Sequence, residues 1–105
     1  MRLKTHVTAS AILRRAQAAG LFATVVHKGD PDGGVLWIKV LARNGEGRRD
    51  AALWAERYEG GFAPRTDGYV PEARANEAIE KERQFDRDLW LIEVEGAAGE
   101  DLLRD

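Results

Sequence analysis

The sequence contains no cysteine, and this absence excludes several classes of protein at once. Without thiols the chain forms no disulfide scaffold, performs no thiol catalysis and holds no zinc or iron–sulfur centre through cysteine. Long apolar runs are missing as well, because no stretch approaches the roughly 18 apolar residues of a membrane-spanning helix. The N-terminus carries positive charge but no apolar run like that of a secretory signal. We therefore expect a cytoplasmic protein without a membrane partner.

The length and charge of the chain set further limits. Its 105 residues suffice for one hydrophobic core but not two, so we expect a single α+β domain spanning residues 1–105. The charges are unevenly distributed: residues 1–50 hold nine Lys/Arg and four Asp/Glu, whereas residues 51–105 hold seven and fourteen. This asymmetry favours halves that neutralise each other within the fold, and the alternatives are a basic face for an anionic partner or self-complementary packing between subunits.

The residue pattern predicts the element order α-β-β-β-α-β. A first helix begins at Thr5 or Thr8, either of which can cap it, and ends at Ala19 before Gly20. Strands follow at residues 22–28, 35–42 and 52–58, each rich in β-branched or aromatic residues. The first two are separated by residues 29–34, whose Asp-Pro and Gly-Gly chemistry predicts a β-hairpin. A long loop covers residues 59–70.

The second helix begins at Pro71 and ends at Gln84 or Phe85, and the last strand spans residues 89–95. Together the elements predict a four-stranded, mainly antiparallel sheet with both helices on one face. The opposite face would expose four apolar side chains and act as a homodimer interface. These possible interface residues are Val35, Trp37, Leu41 and Leu91. Alternatively, the long loop with Phe62 and Tyr69, or the tail with Leu102 and Leu103, covers this face within one chain.

Candidates for chemistry are few. His6 and His27 lie on different predicted elements, and the only serine, Ser10, lacks the glycines of a nucleophile elbow. Asp30 and Asp32 alternate like calcium ligands, but the downstream ligands are missing, which favours a plain turn. The glycines join strand to strand, whereas a phosphate loop joins strand to helix. From the residues alone we assign no catalytic, cofactor-binding or metal-ligating residue, and we expect no cofactor.

Two alternatives to a non-enzymatic protein remain open. Paired carboxylates in the second helix and last strand could hold Mg²⁺ or Mn²⁺ for a small metal-dependent enzyme, although interleaved cations favour a solvated face. These carboxylates are Glu77, Glu80, Glu82, Asp86, Asp88, Glu93 and Glu95. The basic N-terminal half, with Trp37 as a stacking aromatic, could bind phosphate or RNA, although the acidic isoelectric point of about 5.7 makes nucleic acid a poor fit. Its cations are Arg14, Arg15, Lys28, Lys39, Arg43, Arg48 and Arg49.

Three segments carry a resemblance to a known family. They are Leu13-Arg14-Arg15-Ala16-Gln17-Ala18-Ala19-Gly20, Gly29-Asp30-Pro31-Asp32-Gly33-Gly34 and Phe85-Asp86-Arg87-Asp88-Leu89-Trp90 with the strand after it. In this order they resemble a family of short uncharacterised alphaproteobacterial proteins catalogued as a domain of unknown function. The resemblance covers nearly the whole chain, and the family usually has proline where this chain has Arg87. It implies a bacterial, cytoplasmic protein and supplies no activity, cofactor or catalytic residue.

The sequence therefore leaves the biochemical function unknown. The leading hypothesis is a small interaction or regulatory protein that acts as a homodimer through the uncovered sheet face. A metal-dependent enzyme and a phosphate- or RNA-binding module are the alternatives.

Overall fold

The structure, a computed structural model, describes residues 3–104. Two α-helices are present, α1 (Thr5–Ala18) and α2 (Glu72–Phe85), together with a 3₁₀ helix (Ala97–Leu102). The strands are β1 (Phe22–His27), β2 (Leu36–Arg43), β3 (Arg49–Glu56), β4 (Phe62–Pro64), β5 (Val70–Pro71) and β6 (Trp90–Glu95). The predicted α+β class is confirmed. The strand number is not, because β4 and β5 lie in the segment predicted as a long loop.

The strands form one mixed sheet in the order β1-β6-β2-β3-β4, with β5 also pairing with β3. The last strand is inserted between the first two, antiparallel to β1 and parallel to β2. The predicted β1–β2 hairpin is therefore wrong. Only the β2–β3 pair is a hairpin between consecutive long strands.

The connection between β1 and β2 crosses the end of β6 instead of reversing beside it. The Asp30 amide donates to the Asp88 carbonyl at 3.2 Å, and the Trp90 indole donates to the Asp30 carbonyl at 2.7 Å. A local turn does form, since the Gly33 amide donates to the Asp30 carboxylate at 2.9 Å. The residue types in this segment therefore predicted the turn correctly. They could not show that the segment connects two strands separated by β6.

The two helices lie on opposite faces of the sheet, so the prediction that both share one face is wrong. On one face α1 packs Ala9 and Ile12 against Ile38 and Ile92. On the other face α2 packs Ala75 and Ile79 against an equally apolar surface that includes Trp37, Leu41, Leu53 and Leu91. The physical reason lies in β2, which is buried at six successive positions and therefore requires a layer on both sides.

The helix starts also differ from prediction. Lys4 occupies the N-cap of α1, and the predicted cap Thr5 is instead the first helical residue. The Thr5 hydroxyl is fully buried and donates to the Gly34 carbonyl, which ties α1 to the connection between β1 and β2. Pro71 lies at the N-cap of α2 rather than at its first position.

Candidate functional site

A buried polar network lies between the first turn of α2 and the middle of the sheet. Lys39 of β2 is flanked by apolar neighbours, and its side chain is only 6% exposed. Its ammonium group donates to Glu72 Oε2 at 2.7 Å and to Asn76 Oδ1 at 2.7 Å. Glu93 Oε2 of β6 lies 3.6 Å from the same nitrogen. A buried ammonium requires such partners, because an unpaired charge in an apolar environment is strongly unfavourable.

Arg49 closes the network from β3. Its Nε lies 3.2 Å from Glu72 Oε1, and its Nη2 lies 3.8 Å from Glu93 Oε1. Two cations thus face two carboxylates, and the amide of Asn76 completes the set. The arrangement is electrically balanced and holds the start of α2 against three strands, which is a structural role.

A cleft opens beside this network and shares Arg49 with it. Its volume is about 200 Å³, and its lining residues are Leu41, Ala42, Arg43, Arg49, Glu95 and Gly96. Arg43 and Arg49 are the last directly paired residues of the β2–β3 hairpin, so both side chains project from the same face. The cleft therefore combines an apolar floor with guanidinium groups and one carboxylate.

The strand β1 forms one edge of the sheet and is poorly covered. Within residues 3–104, its only strand partner is β6. Its side chains alternate between exposed and half-buried, and the exposed set includes Phe22 at 74% and Val26 at 43%. An edge strand presents unpaired backbone groups, which makes it a template for pairing with another strand.

The four predicted interface residues lie beneath α2 in the same chain. Trp37 and Leu41 are each 5% exposed and Leu91 is 3% exposed, while Val35 is partly buried against the same cluster. Neither alternative cover is the one observed, because Phe62, Tyr69, Leu102 and Leu103 pack on the α1 face. The premise that this surface is uncovered is therefore wrong.

The acidic segment does not gather into a ligand set. Glu80 pairs with Arg83 at 3.3 Å, Asp86 accepts from the Asp88 amide at 3.0 Å, and Glu93 belongs to the Lys39 network. Between residues 3 and 104, no three His, Asp or Glu side chains are placed to hold a metal ion together.

The basic residues are likewise divided. Arg14 and Arg15 lie on α1, on the opposite side of the sheet from Lys39, whose charge is buried. Trp37 is covered by α2, and the Arg65 guanidinium lies 5.3 Å from its ring centroid. A continuous basic surface with an exposed stacking aromatic is thus not formed by the predicted set. Arg43, Arg48 and Arg49 do lie together at the β2–β3 hairpin.

His27, at the end of β1, has a shifted ionisation equilibrium. Burial lowers the pKa of its imidazole below the usual 6.5, and the nearby Arg83 lowers it further, while Glu80 acts in the opposite direction. The folded environment therefore makes the His27 ring harder to protonate than a free imidazole.

Sequence reasoning missed the partners of Lys39 and the importance of β1. One signal was available for the first: a lysine within the run Trp37-Ile38-Lys39-Val40-Leu41 must either face solvent or find a buried partner. For Phe22 and Val26 there was none, because their exposure depends on β1 lying at the sheet edge.

Between residues 3 and 104, neither helix is both long and apolar enough to cross a membrane. No curated protein is similar enough to this chain to transfer a function. Solved structures are similar, however. A crystal structure of a DUF1491 family protein from Caulobacter crescentus has a TM-score of 0.82 and 30% identity, covering 98% of this chain and 94% of that one.

The solution structure of a protein from A. tumefaciens has a TM-score of 0.77 and 34% identity, covering 98% of this chain and 93% of that one. These matches confirm the resemblance inferred from the three sequence segments. A family model also matches residues 3–104, so the chain belongs to the family described as protein of unknown function (DUF1491).

Proposed function

We propose that this chain is a small, non-enzymatic interaction or regulatory protein of the bacterial cytoplasm that acts as a homodimer through its edge strand β1. The observation that carries the proposal is the exposure of apolar side chains on an unprotected edge, Phe22 at 74% and Val26 at 43%. The relatives from Caulobacter crescentus and A. tumefaciens support the bacterial assignment.

The composition of β1 supports pairing rather than protection. Soluble proteins usually guard an edge strand with charge, proline or a covering loop. The six residues of β1 contain no Asp, Glu, Lys, Arg or Pro. A register shift between Val25 and His27 is the only guarding device that β1 carries within the described residues, and it affects one end of the strand. The segment from Phe22 to Val25 therefore presents a regular free edge.

A second copy of β1 fits this edge by symmetry. A two-fold axis perpendicular to the sheet at Thr24 would align the strands antiparallel, with Ala23 of each copy opposite Val25 of the other inside the regular segment, and would bring Phe22 near Val26, the residue at the register shift. Aromatic and β-branched side chains form favourable cross-strand pairs. The Thr24 side chains would meet at the axis, and no like charges on β1 would oppose each other. The two sheets would then form one continuous sheet.

The test is the mass in solution measured by light scattering at about 100 μM, a concentration that populates even a weak dimer. The parent should have about twice the 11.7 kDa mass of one chain. Phe22→Glu should return it to a monomer, because it places carboxylates in the paired strands. Phe85→Glu is the matched control, since Phe85 is 81% exposed but lies at the end of α2. A monomeric parent, or a dimer that survives Phe22→Glu, would refute pairing through β1.

A further inference from the structure

We infer that the cleft beside the Lys39 network binds a small oxyanion, a carboxylate or phosphate group, between Arg43 and Arg49. The cleft holds about 200 Å³, which suits a small acid rather than a drug-sized ligand. The cleft lies on the α2 face of the sheet, whereas the proposed dimer uses the free edge of β1. The two proposals can therefore be tested independently, and failure of one does not contradict the other.

The hairpin turn sets the positions of the two guanidinium groups. Asn44 organises the turn: its amide donates to the Arg48 carbonyl at 2.8 Å, and its side-chain oxygen accepts from the Glu46 and Arg48 amides at 2.9 and 3.0 Å. This local bonding fixes the register in which Arg43 is directly opposite Arg49. Both side chains consequently project from the same face and line the same cleft.

Two like charges in directly opposite positions destabilise a sheet unless something compensates them. Arg49 is compensated by Glu72 and Glu93, which also hold its guanidinium in place. Arg43 has a neutral partner instead, the Gly47 carbonyl at 2.9 Å from Nη1, and it makes no ion pair within residues 3–104. Its remaining N–H groups are the donors that an oxyanion would use, since guanidinium and oxyanion groups form short, charge-assisted hydrogen bonds.

Glu95 determines how strongly the cleft attracts a negative charge. Its carboxylate lines the same cleft, so it repels an incoming anion and lowers the affinity. Leu41 and Ala42 add apolar atoms to the lining of the cleft. Loss of the Arg43 charge should therefore weaken anion binding, whereas loss of the Glu95 charge should strengthen it. These opposite effects distinguish a defined binding site from general attraction to a basic hairpin.

The test is an NMR titration of the full chain at constant ionic strength, with inorganic phosphate in one arm and succinate in the other. We expect the amide signals of Ala42 and Gly96 to shift in at least one arm. Shifts with phosphate alone identify a phosphate site, shifts with succinate alone a carboxylate site, and shifts with both a general oxyanion site. An absence of shifts in both arms overturns the inference.

Three variants complete the test. Arg43→Gln should weaken binding about tenfold, because it removes a charge-assisted contact. Glu95→Gln should strengthen binding several-fold. Arg48→Gln is the matched control, since Arg48 is an exposed arginine of the same hairpin that does not line the cleft, and it should leave the affinity unchanged. Equal losses in Arg43→Gln and Arg48→Gln would show diffuse attraction and refute the site.

Discussion

The Lys39 Nζ lies 2.7 Å from Glu72 Oε2, and this contact joins the centre of the sheet to the first residue of α2. Lys39 is buried at 6% exposure, and Glu72 is largely buried at 22%. The charge of each is therefore poorly screened by solvent, and the removal of Lys39 leaves Glu72 with the more exposed Arg49 as its cationic partner.

We expect Lys39→Met to lower the free energy of unfolding by about 3 kcal/mol, because it leaves Glu72 and Glu93 with Arg49 as their remaining cation. Urea denaturation followed by circular dichroism measures the change. Lys81→Met, an exposed lysine on α2, is the matched control and should change stability by less than about 0.5 kcal/mol. If the two variants were equally stable, the network would contribute nothing to the attachment of α2.

Gly34 should be intolerant of even one added methyl group. A Cβ at this position would lie 2.1 Å from the Asp88 carbonyl oxygen, and this oxygen belongs to the backbone. We expect Gly34→Ala to lower the free energy of unfolding by at least about 2 kcal/mol through overpacking.

Gly45→Ala provides the comparison, because a Cβ at Gly45 would meet nothing within 4 Å. Its effect should stay within about 0.5 kcal/mol, as for most surface changes. Thermal or urea denaturation of the two variants side by side measures the difference. A tolerated alanine at Gly34 would contradict the close crossing of the β1–β2 connection over β6.

The lowered pKa of His27 predicts a loss of stability in mild acid. Above pH 6.5 the imidazole is mostly neutral in both the folded and the unfolded chain, so it has little effect. As the pH falls below 6.5, the unfolded chain binds a proton more readily than the folded chain, and stability decreases until the pH passes the lowered folded pKa.

The measurement is the free energy of unfolding of the parent and of His27→Gln at pH 8 and pH 5.5. The parent should lose more stability between these values than His27→Gln does. An equal loss in the parent and in His27→Gln would contradict the assignment to His27.

Local sequence patterns were sufficient for the helices and the long strands. The strand beginning at Phe22 and the end of α2 at Phe85 agree with expectation, and α1 begins within one residue of it, because helix and strand formation depend on residue periodicity over a few positions. The family resemblance also rested on short segments and was confirmed. Short strands such as Phe62–Pro64 were missed, since three residues carry too little periodic signal.

The order of the strands was decided only by the tertiary structure. Residues 29–34 have the chemistry of a turn in either arrangement, so they could not indicate that β6 would lie between β1 and β2. That placement brings together residues far apart in the sequence, such as Asp30, whose amide donates to the Asp88 carbonyl, and Gly34, which passes close to the same oxygen. The strand order also sets the position of each candidate site. Trp37 is buried under α2, Phe22 is exposed at a sheet edge, and Lys39 forms an ion pair with Glu72. Sequence by itself determined the two α-helices, the four long strands and the family, whereas long-range packing decided which surfaces remain free to bind.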